Sequence, residues 1–265
     1  MKVETQKACL QCEKCINDCV AENLTIEGTG VRAKRDCIFC GHCVAICPIK
    51  AVSIPTYDME DVDEIDSEVS RLNSSELLFA IKQRRSIRNF LANQIEREII
   101  ESIIQAGRYT ATGKNAQDCC FIFVQDNLSL LKEKVWIAVE RTVLLGNEVP
   151  GDSILLPGYK RFIEMRNREK PVDYLFRNAP SFLFVAAENP ISAALASQNM
   201  ELMAVSQGLG VMYNGYLVRT ANAFPEIGKW LSSYGKRFYI CMLIGYPNVK
   251  YARTAPRKPA EIIWL

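Results

Sequence analysis

The sequence predicts an α+β protein built in two parts, a small cysteine-rich segment followed by a larger mixed sheet flanked by helices. Three observations carry that expectation. Eight of the 11 cysteines fall within the first 47 residues of a 265-residue chain. A run of seven carboxylates between Asp58 and Glu68 then interrupts the pattern. From Ser74 onward, strand-length apolar runs alternate with segments of helical period, which favours a sheet covered by helices over a sandwich.

Composition bounds what such a chain does. With 49% hydrophobic and 23% charged residues it has enough apolar content for a substantial core. Lys plus Arg is 32 against 30 for Asp plus Glu, a net charge of +2, which gives no field for nucleic acid or a membrane surface. Met1 to Ala8 has no apolar export signal and no run reaches the 18 apolar residues of a membrane span. The expectation is therefore a cytoplasmic protein, in whose reducing surroundings clustered thiols hold metal rather than form disulfides. A single histidine argues against His-based nucleophilic or zinc-hydrolase chemistry.

The expected boundaries are residues 1–55 for the cysteine array, 56–73 for an acidic linker and 74–265 for the larger domain. As a flexible coil the 18-residue linker would reach about 23 Å. Ser74 or Ser75 caps a first helix through Leu77, Leu78 and Ile81. Asn93 caps a second, whose Ile99, Ile100, Ile103 and Ile104 recur at helical spacing and which ends near Gly107. Cys119 to Gln125 reads as a buried strand, Leu128 to Leu145 as a helix, and Phe182 to Ala187 as a second strand. A long core helix from Ile191 to Gln207 stops at Gly208, and Phe238 to Gly245 forms a third strand.

Cys9, Cys12, Cys15 and Cys19 are spaced C-x2-C-x2-C-x3-C, and Cys37, Cys40, Cys43 and Cys47 repeat the spacing, followed by Pro48. Three thiolates two residues apart on a tight loop each bind one iron of a cubane, while the fourth reaches the other cluster. That rule assigns Cys9, Cys12, Cys15 and Cys47 to one 4Fe–4S cluster and Cys19, Cys37, Cys40 and Cys43 to a second. Zinc knuckles use pairs of C-x2-C instead. His42, within the second loop, is read as a surface residue because four thiolates already complete its cluster. Over residues 9–48 the pattern resembles the bacterial two-cluster ferredoxins, whose clusters pass single electrons at low potential.

In the second part, Arg84, Arg85, Ser86 and Arg88 put three guanidiniums and a hydroxyl within five residues, a set suited to a phosphate or an anionic ring. Asn115 and Gln117 place two side-chain amides in a loop before a buried strand. Further on come the Gln198–Asn199 helix, the Gly-Leu-Gly at 208–210, Asn214–Gly215, Gly245-Tyr246-Pro247, and Pro256-Arg257-Lys258-Pro259. In this order the motifs resemble the nitroreductase family of FMN enzymes over roughly residues 75–262. The whole chain is thus similar to a fusion, a small ferredoxin-like iron–sulfur domain followed by a nitroreductase-like mixed sheet.

The resemblance implies a homodimer that binds FMN at the subunit interface. Arg84, Arg85, Ser86 and Arg88 would hold its phosphate, ribityl chain and ring edge. Asn115 and Gln117 would flank the ring, the backbone near Asn214 and Gly215 would lie by its reactive nitrogen, and Arg257 would return to the phosphate. The family's Pro-Trp after the Gln is replaced by Asp118 and Cys119, and Thr112 stands where Ser is common. Cys119, Cys120 and Cys241, and the Met200, Met203 and Met212 set, are read as packing residues.

Two functions follow. In one, the chain passes single electrons from the two clusters to FMN and reduces an electron-poor acceptor such as a nitroaromatic or quinone, with reduced ferredoxin or NAD(P)H as donor. In the other, it is an electron-transfer or flavin-handling protein without small-molecule turnover.

Overall fold

A computed structural model describes residues 3–5, 9–65, 72–146 and 155–265. The distal part of the acidic run, with Asp66 and Glu68, lies outside the described residues, as does 147–154. The chain divides into two compact units. One comprises residues 1–72 with 112–116, the other 73–111 with 117–265.

The first unit is small and doubled. Strand β1 (Glu4–Thr5) pairs antiparallel with β4 (Val52–Ser53), and β2 (Leu24–Glu27) forms a hairpin with β3 (Gly30–Ala33). Two single helical turns, α1 (Lys14–Asn17) and α2 (His42–Ala45), each bury the third cysteine of an array, Cys15 and Cys43. The sequence repeat is matched by a backbone repeat. Gln11, Glu13 and Glu22 adopt positive φ, and so do Phe39, Gly41 and Lys50 at the corresponding positions. These left-handed residues curl each loop so tightly that its N–H groups turn inward. The core is short: Val3, Leu24, Val31, Val52 and Ile54 with the two buried cysteines.

Residues 56–65 are more ordered than a free tether. Tyr57 closes a turn onto the Ile54 carbonyl, Asp58 caps a 3-10 turn at Met59–Asp61, and Glu64 pairs with Lys50.

The second unit is a four-stranded sheet with helices on both faces. β5 (Cys120–Val124), β6 (Ser181–Ala187), β8 (Arg237–Gly245) and β7 (Gly210–Tyr213) lie in the order β5-β6-β8-β7 with antiparallel pairing. The one parallel pairing among the described residues is the bridge between Ser86 and Val211 on β7. Helices α4 (Arg97–Arg108) and α7 (Pro190–Ser206) cover one face, where Ile103 and Met200 meet Leu183, Val185 and Met242. Helices α5 (Leu128–Leu145), α6 (Leu155–Arg166), α8 (Gly215–Ala223) and α9 (Pro225–Leu231) cover the other, around Phe182, Phe184 and Leu243. All seven residues of β6 are buried, because both its faces meet helices. Among the described residues no helix is long and apolar enough to cross a membrane.

Some boundaries differ from expectation, each for a visible reason. Helix α3 (Ser74–Gln83) is capped by Asn73, whose Oδ1 accepts from the N–H of Ser75 and Glu76, and not by Ser74 or Ser75. Helix α4 begins at Arg97 rather than after Asn93. The Gln125 amide holds both backbone groups of Ile95 in an extended chain, at 2.9 Å and 3.2 Å. Helix α4 ends at Arg108, next to Gly107 as expected, and a Cβ on that glycine would stand 2.7 Å from the Met200 sulfur. Strand β7 and helices α6, α8 and α9 are additional to the elements expected.

Candidate functional site

The cysteines gather in two crossed sets. One pocket is lined by Cys19, Cys37, Cys40 and Cys43 with apolar neighbours that include Leu24 and Ile54. Another is lined by Cys9, Cys12, Cys15 and Cys47 with Val31 and Val52. These are the two groupings that the spacing predicts. Backbone N–H groups donate to sulfur at matched places: Gln11 to Cys9 at 3.4 Å, Phe39 to Cys37 at 3.3 Å, Asn23 to Cys19 at 3.3 Å and Ala51 to Cys47 at 3.2 Å. Such donors stabilise negative charge on thiolate sulfur and tune a cluster's potential. Burial pushes the Cys43 thiol up to about 11, with the charges of Cys37 and Cys40 adding to it. Four thiols with N–H donors to sulfur are the donor chemistry an iron–sulfur cluster uses. His42 lies at the rim of the first pocket, exposed, with its Nδ1 3.1 Å from Asp18 Oδ2.

In the second unit the Arg84–Arg88 segment runs along the sheet edge. The N–H of Ile87 donates to the Val211 carbonyl at 2.9 Å, and Leu91 N–H to the Tyr246 carbonyl at 2.8 Å. Two motif glycines permit this approach. A Cβ on Gly210 would lie 2.3 Å from Ile87 Cγ1, and one on Gly245 2.6 Å from the Pro180 ring. The Gly-Leu-Gly and Gly-Tyr-Pro motifs thus seat the arginine segment, a packing reason for residues read from sequence as marks of a site.

The individual side chains are placed as follows. Arg84 donates through one of its guanidinium nitrogens to Glu201 Oε1 at 2.9 Å, and Glu201 is 1% exposed. Burial first, then the Glu201 charge, pushes the Tyr213 phenol, 3.4 Å from Glu201 Oε2, well above its usual range. Neither Glu201 nor Tyr213 was expected at the site; a lone Glu within an otherwise small-residue helix was the available signal. Arg85 stacks on Tyr251, its Cζ 4.3 Å from the ring centre, and Ser86 forms the bridge to Val211. Arg88 is exposed, and so is Arg257, whose guanidinium donates to the Pro256 carbonyl at 3.0 Å.

Asn214 caps α8, its Oδ1 accepting from Leu217 N–H at 3.1 Å while its amide donates to the Leu175 carbonyl at 2.8 Å. A Cβ added to Gly215, the first residue of α8, would meet nothing within 4 Å. The start of α8 is therefore open, and a helix N-terminus of this kind favours a ligand carrying negative charge. This is the feature of the second unit that best fits an anionic planar cofactor.

Asn115 is held elsewhere. It groups with the first unit, where its amide donates to the carbonyls of Ile38 and Phe39 at 3.1 Å and 2.8 Å. Gln117 groups with the second unit, exposed, and Lys114, Asn115 and Gln117 all have positive φ. Asp118, which replaces the family proline, is buried. Its Oδ2 accepts the N–H of Glu188 and Asn189 at 3.0 Å and 2.8 Å, pinning the start of α7. Cys119 and Cys120 pack against opposite faces of the sheet, and burial pushes the Cys119 thiol up to about 11. Those two and the buried Cys241 are packing residues, as their positions predict.

Comparison with known proteins agrees with this division. Residues 81–246 match the nitroreductase family. A nitroreductase from Desulfitobacterium hafniense, solved with bound FMN, superposes with a TM-score of 0.57 at 22% identity, covering 73% of this chain and 100% of that one. One from Bacteroides fragilis, also with bound FMN, gives 0.55 at 24% identity over 71% and 98%. A BluB-like flavoprotein from Clostridium difficile gives 0.53 at 17% identity over 71% and 98%. An uncharacterised ferredoxin of Methanocaldococcus jannaschii is 41% identical over 46 residues, 17% of this chain and 74% of its own length.

Proposed function

The chain belongs to the nitroreductase family, a family of oxidoreductases, and on that premise we propose that it is an FMN-dependent oxidoreductase fed by its own iron–sulfur clusters. Low-potential electrons enter singly at two 4Fe–4S clusters and leave in pairs to an electron-poor acceptor of the nitroaromatic or quinone class. The observation that carries the reading is the pair of four-cysteine cavities in a chain whose remainder is a nitroreductase domain. FMN, when bound, supplies the exchange between one-electron and two-electron chemistry.

The chain's own residues have separate tasks. Cys9, Cys12, Cys15 and Cys47 hold one cluster and Cys19, Cys37, Cys40 and Cys43 the other, with the N–H···S donors stabilising the charge on sulfur. Arg84, Arg85, Ser86, Arg88 and Arg257 bind the anionic part of the flavin, and Gln117 flanks its ring, whereas Asn115, expected beside it, is engaged with the first unit. The open N-terminus of α8 at Asn214–Gly215 stabilises negative charge beside it. Fusion supplies the donor at high local concentration. A second copy of the chain completes the protein as a homodimer. That part is supported by apolar faces left exposed: Leu77, Leu78, Phe79 and Ile81 on α3, which buries no residue, and Ile262, Ile263 and Trp264 in the C-terminal tail.

The test is an anaerobic titration of the purified protein, followed by its visible spectrum. Reduced ferredoxin, NADH and NADPH are added in turn, then a nitroaromatic. Bleaching of cluster and flavin bands, restored by the nitro compound, is the expected result. Absence of a flavin band would sink the proposal.

A further inference from the structure

The segment that leads from α6 into β6 gathers charged and aromatic side chains. Tyr174 lies among three arginines. The Arg177 guanidinium carbon is 3.7 Å from the centre of its ring and that of Arg161, on α6, is 5.0 Å. Donation from Arg177, and the charges of Arg161, Arg177 and Arg88, hold the Tyr174 phenol below its usual range. Three cations near one phenol repel one another unless an anion joins them. Among the described residues none of the three arginines has a carboxylate partner, and the Arg177 Nε is buried without an acceptor. Asp173, next to Tyr174, forms no ion pair with them, and its two oxygens accept the N–H of Phe176 and Asn178 at 2.9 Å and 3.0 Å.

The backbone holds this arrangement at some cost. Arg177 and Asn178 both adopt positive φ, the conformation that non-glycine residues avoid, and strain of this sort concentrates at functional sites. Placement is fixed too. The Asn214 amide grips the carbonyl of Leu175, the residue between Tyr174 and the buried Phe176, and so joins the segment to the open start of α8.

Resting on the FMN reading above, we infer that Arg161, Arg177 and Tyr174 form an oxyanion-binding subsite beside the flavin position, and that the acceptor reduced there is an aromatic carrying a carboxylate. Arg161 and Arg177 supply paired N–H donors of the fork geometry that matches a carboxylate. The Tyr174 ring, backed by the buried Phe162 ring stacked 6.0 Å away, supplies an aromatic surface.

An anion subsite in a flavoprotein has a second candidate occupant, the flavin's own phosphate, and the test separates the two. FMN-loaded protein is titrated with benzoate and with benzamide, which have similar shape and differ in charge, while the flavin absorbance is followed. Benzoate is expected to bind at least about tenfold more tightly. Arg161→Gln is expected to remove that preference while leaving benzamide binding and FMN affinity unchanged. Arg177→Lys, which keeps a charge but not the fork, is expected to weaken benzoate by a smaller factor. Equal binding of benzoate and benzamide by the wild type overturns the inference and leaves the FMN reading intact. A loss of FMN affinity in Arg161→Gln with the benzoate preference retained assigns the arginines to the cofactor phosphate and also overturns it. If the wild type binds no FMN, the parent reading fails and the inference falls with it.

Discussion

The two units solve the problem of staying folded in opposite ways. The second buries β6 along its whole length and covers both faces of its sheet with helices. The first has five aliphatic core residues and two buried cysteines, arranged around cavities that thiols line. A segment that small cannot offset its chain entropy by apolar burial alone. Its loops, with repeated positive-φ residues and inward N–H groups, are shaped for something that fills the cavities. On the proposed reading, metal is part of the fold of one unit and foreign to the core of the other.

That contrast can be broken most easily at the clusters. Iron removal by a chelator is expected to abolish the structure of the first unit while the second keeps its cooperative thermal transition, which calorimetry would resolve as loss of one component only. Cys43→Ala is expected to cost about half of the bound iron, counted per chain, since one cluster of two loses a ligand. Retention of full iron would separate Cys43 from the ligand set.

Smaller effects sharpen the account of the second unit. Glu201→Ala leaves Arg84 facing a buried site without its partner, and is expected to destabilise by about 3–5 kcal/mol in denaturant titrations. Gly210→Ala drives a methyl into Ile87 and is expected to cost about 1–3 kcal/mol, because the arginine segment must move off the sheet edge. An Ile87→Ala change in the same chain, which removes the Cγ1 that the methyl meets, should recover part of that loss.

Asp118→Asn addresses the smallest term. Burial raises the Asp118 carboxyl, but the N–H of Asn189, the Ser192 hydroxyl and the N–H of Glu188 outweigh it and hold it below its usual value. A carboxyl lowered in the folded state stabilises fully above its unfolded pKa of about 3.9, and the contribution is lost as pH falls below that. The wild type should therefore lose stability on acidification through that range, and Asp118→Asn should show a shallower loss, with about 1 kcal/mol less stability at neutral pH. Thermal melts at several pH values would show both.

Much of this was legible in the sequence because it is written in spacing. The C-x2-C-x2-C-x3-C arrays predict the two crossed cavities, and the periods of Leu128–Leu145 and Phe182–Ala187 predict α5 and the buried core of β6. What escaped depends on partners distant in sequence. Asn93 looks like a helix cap, but Gln125, on the far side of α4, holds Ile95 extended. Strand β7 is four residues long and carries a glycine at its start, too brief for a periodic signal, yet it is where the arginine segment docks. Asp118 reads as a departure from a flavin-contact motif and serves as an anchor for α7. The Arg161–Tyr174–Arg177 cluster joins residues from α6 and from a loop with no motif, so only the fold brings them together.

The central claim is that electrons reach the flavin through the clusters. Its most direct test is the rate of FMN reduction by reduced ferredoxin, measured anaerobically by stopped flow in the wild type and in Cys43→Ala protein matched for FMN content. The account predicts rapid reduction in the wild type and a loss of at least about a hundredfold in the variant. Equal rates in the two proteins would contradict it and leave the clusters outside the path.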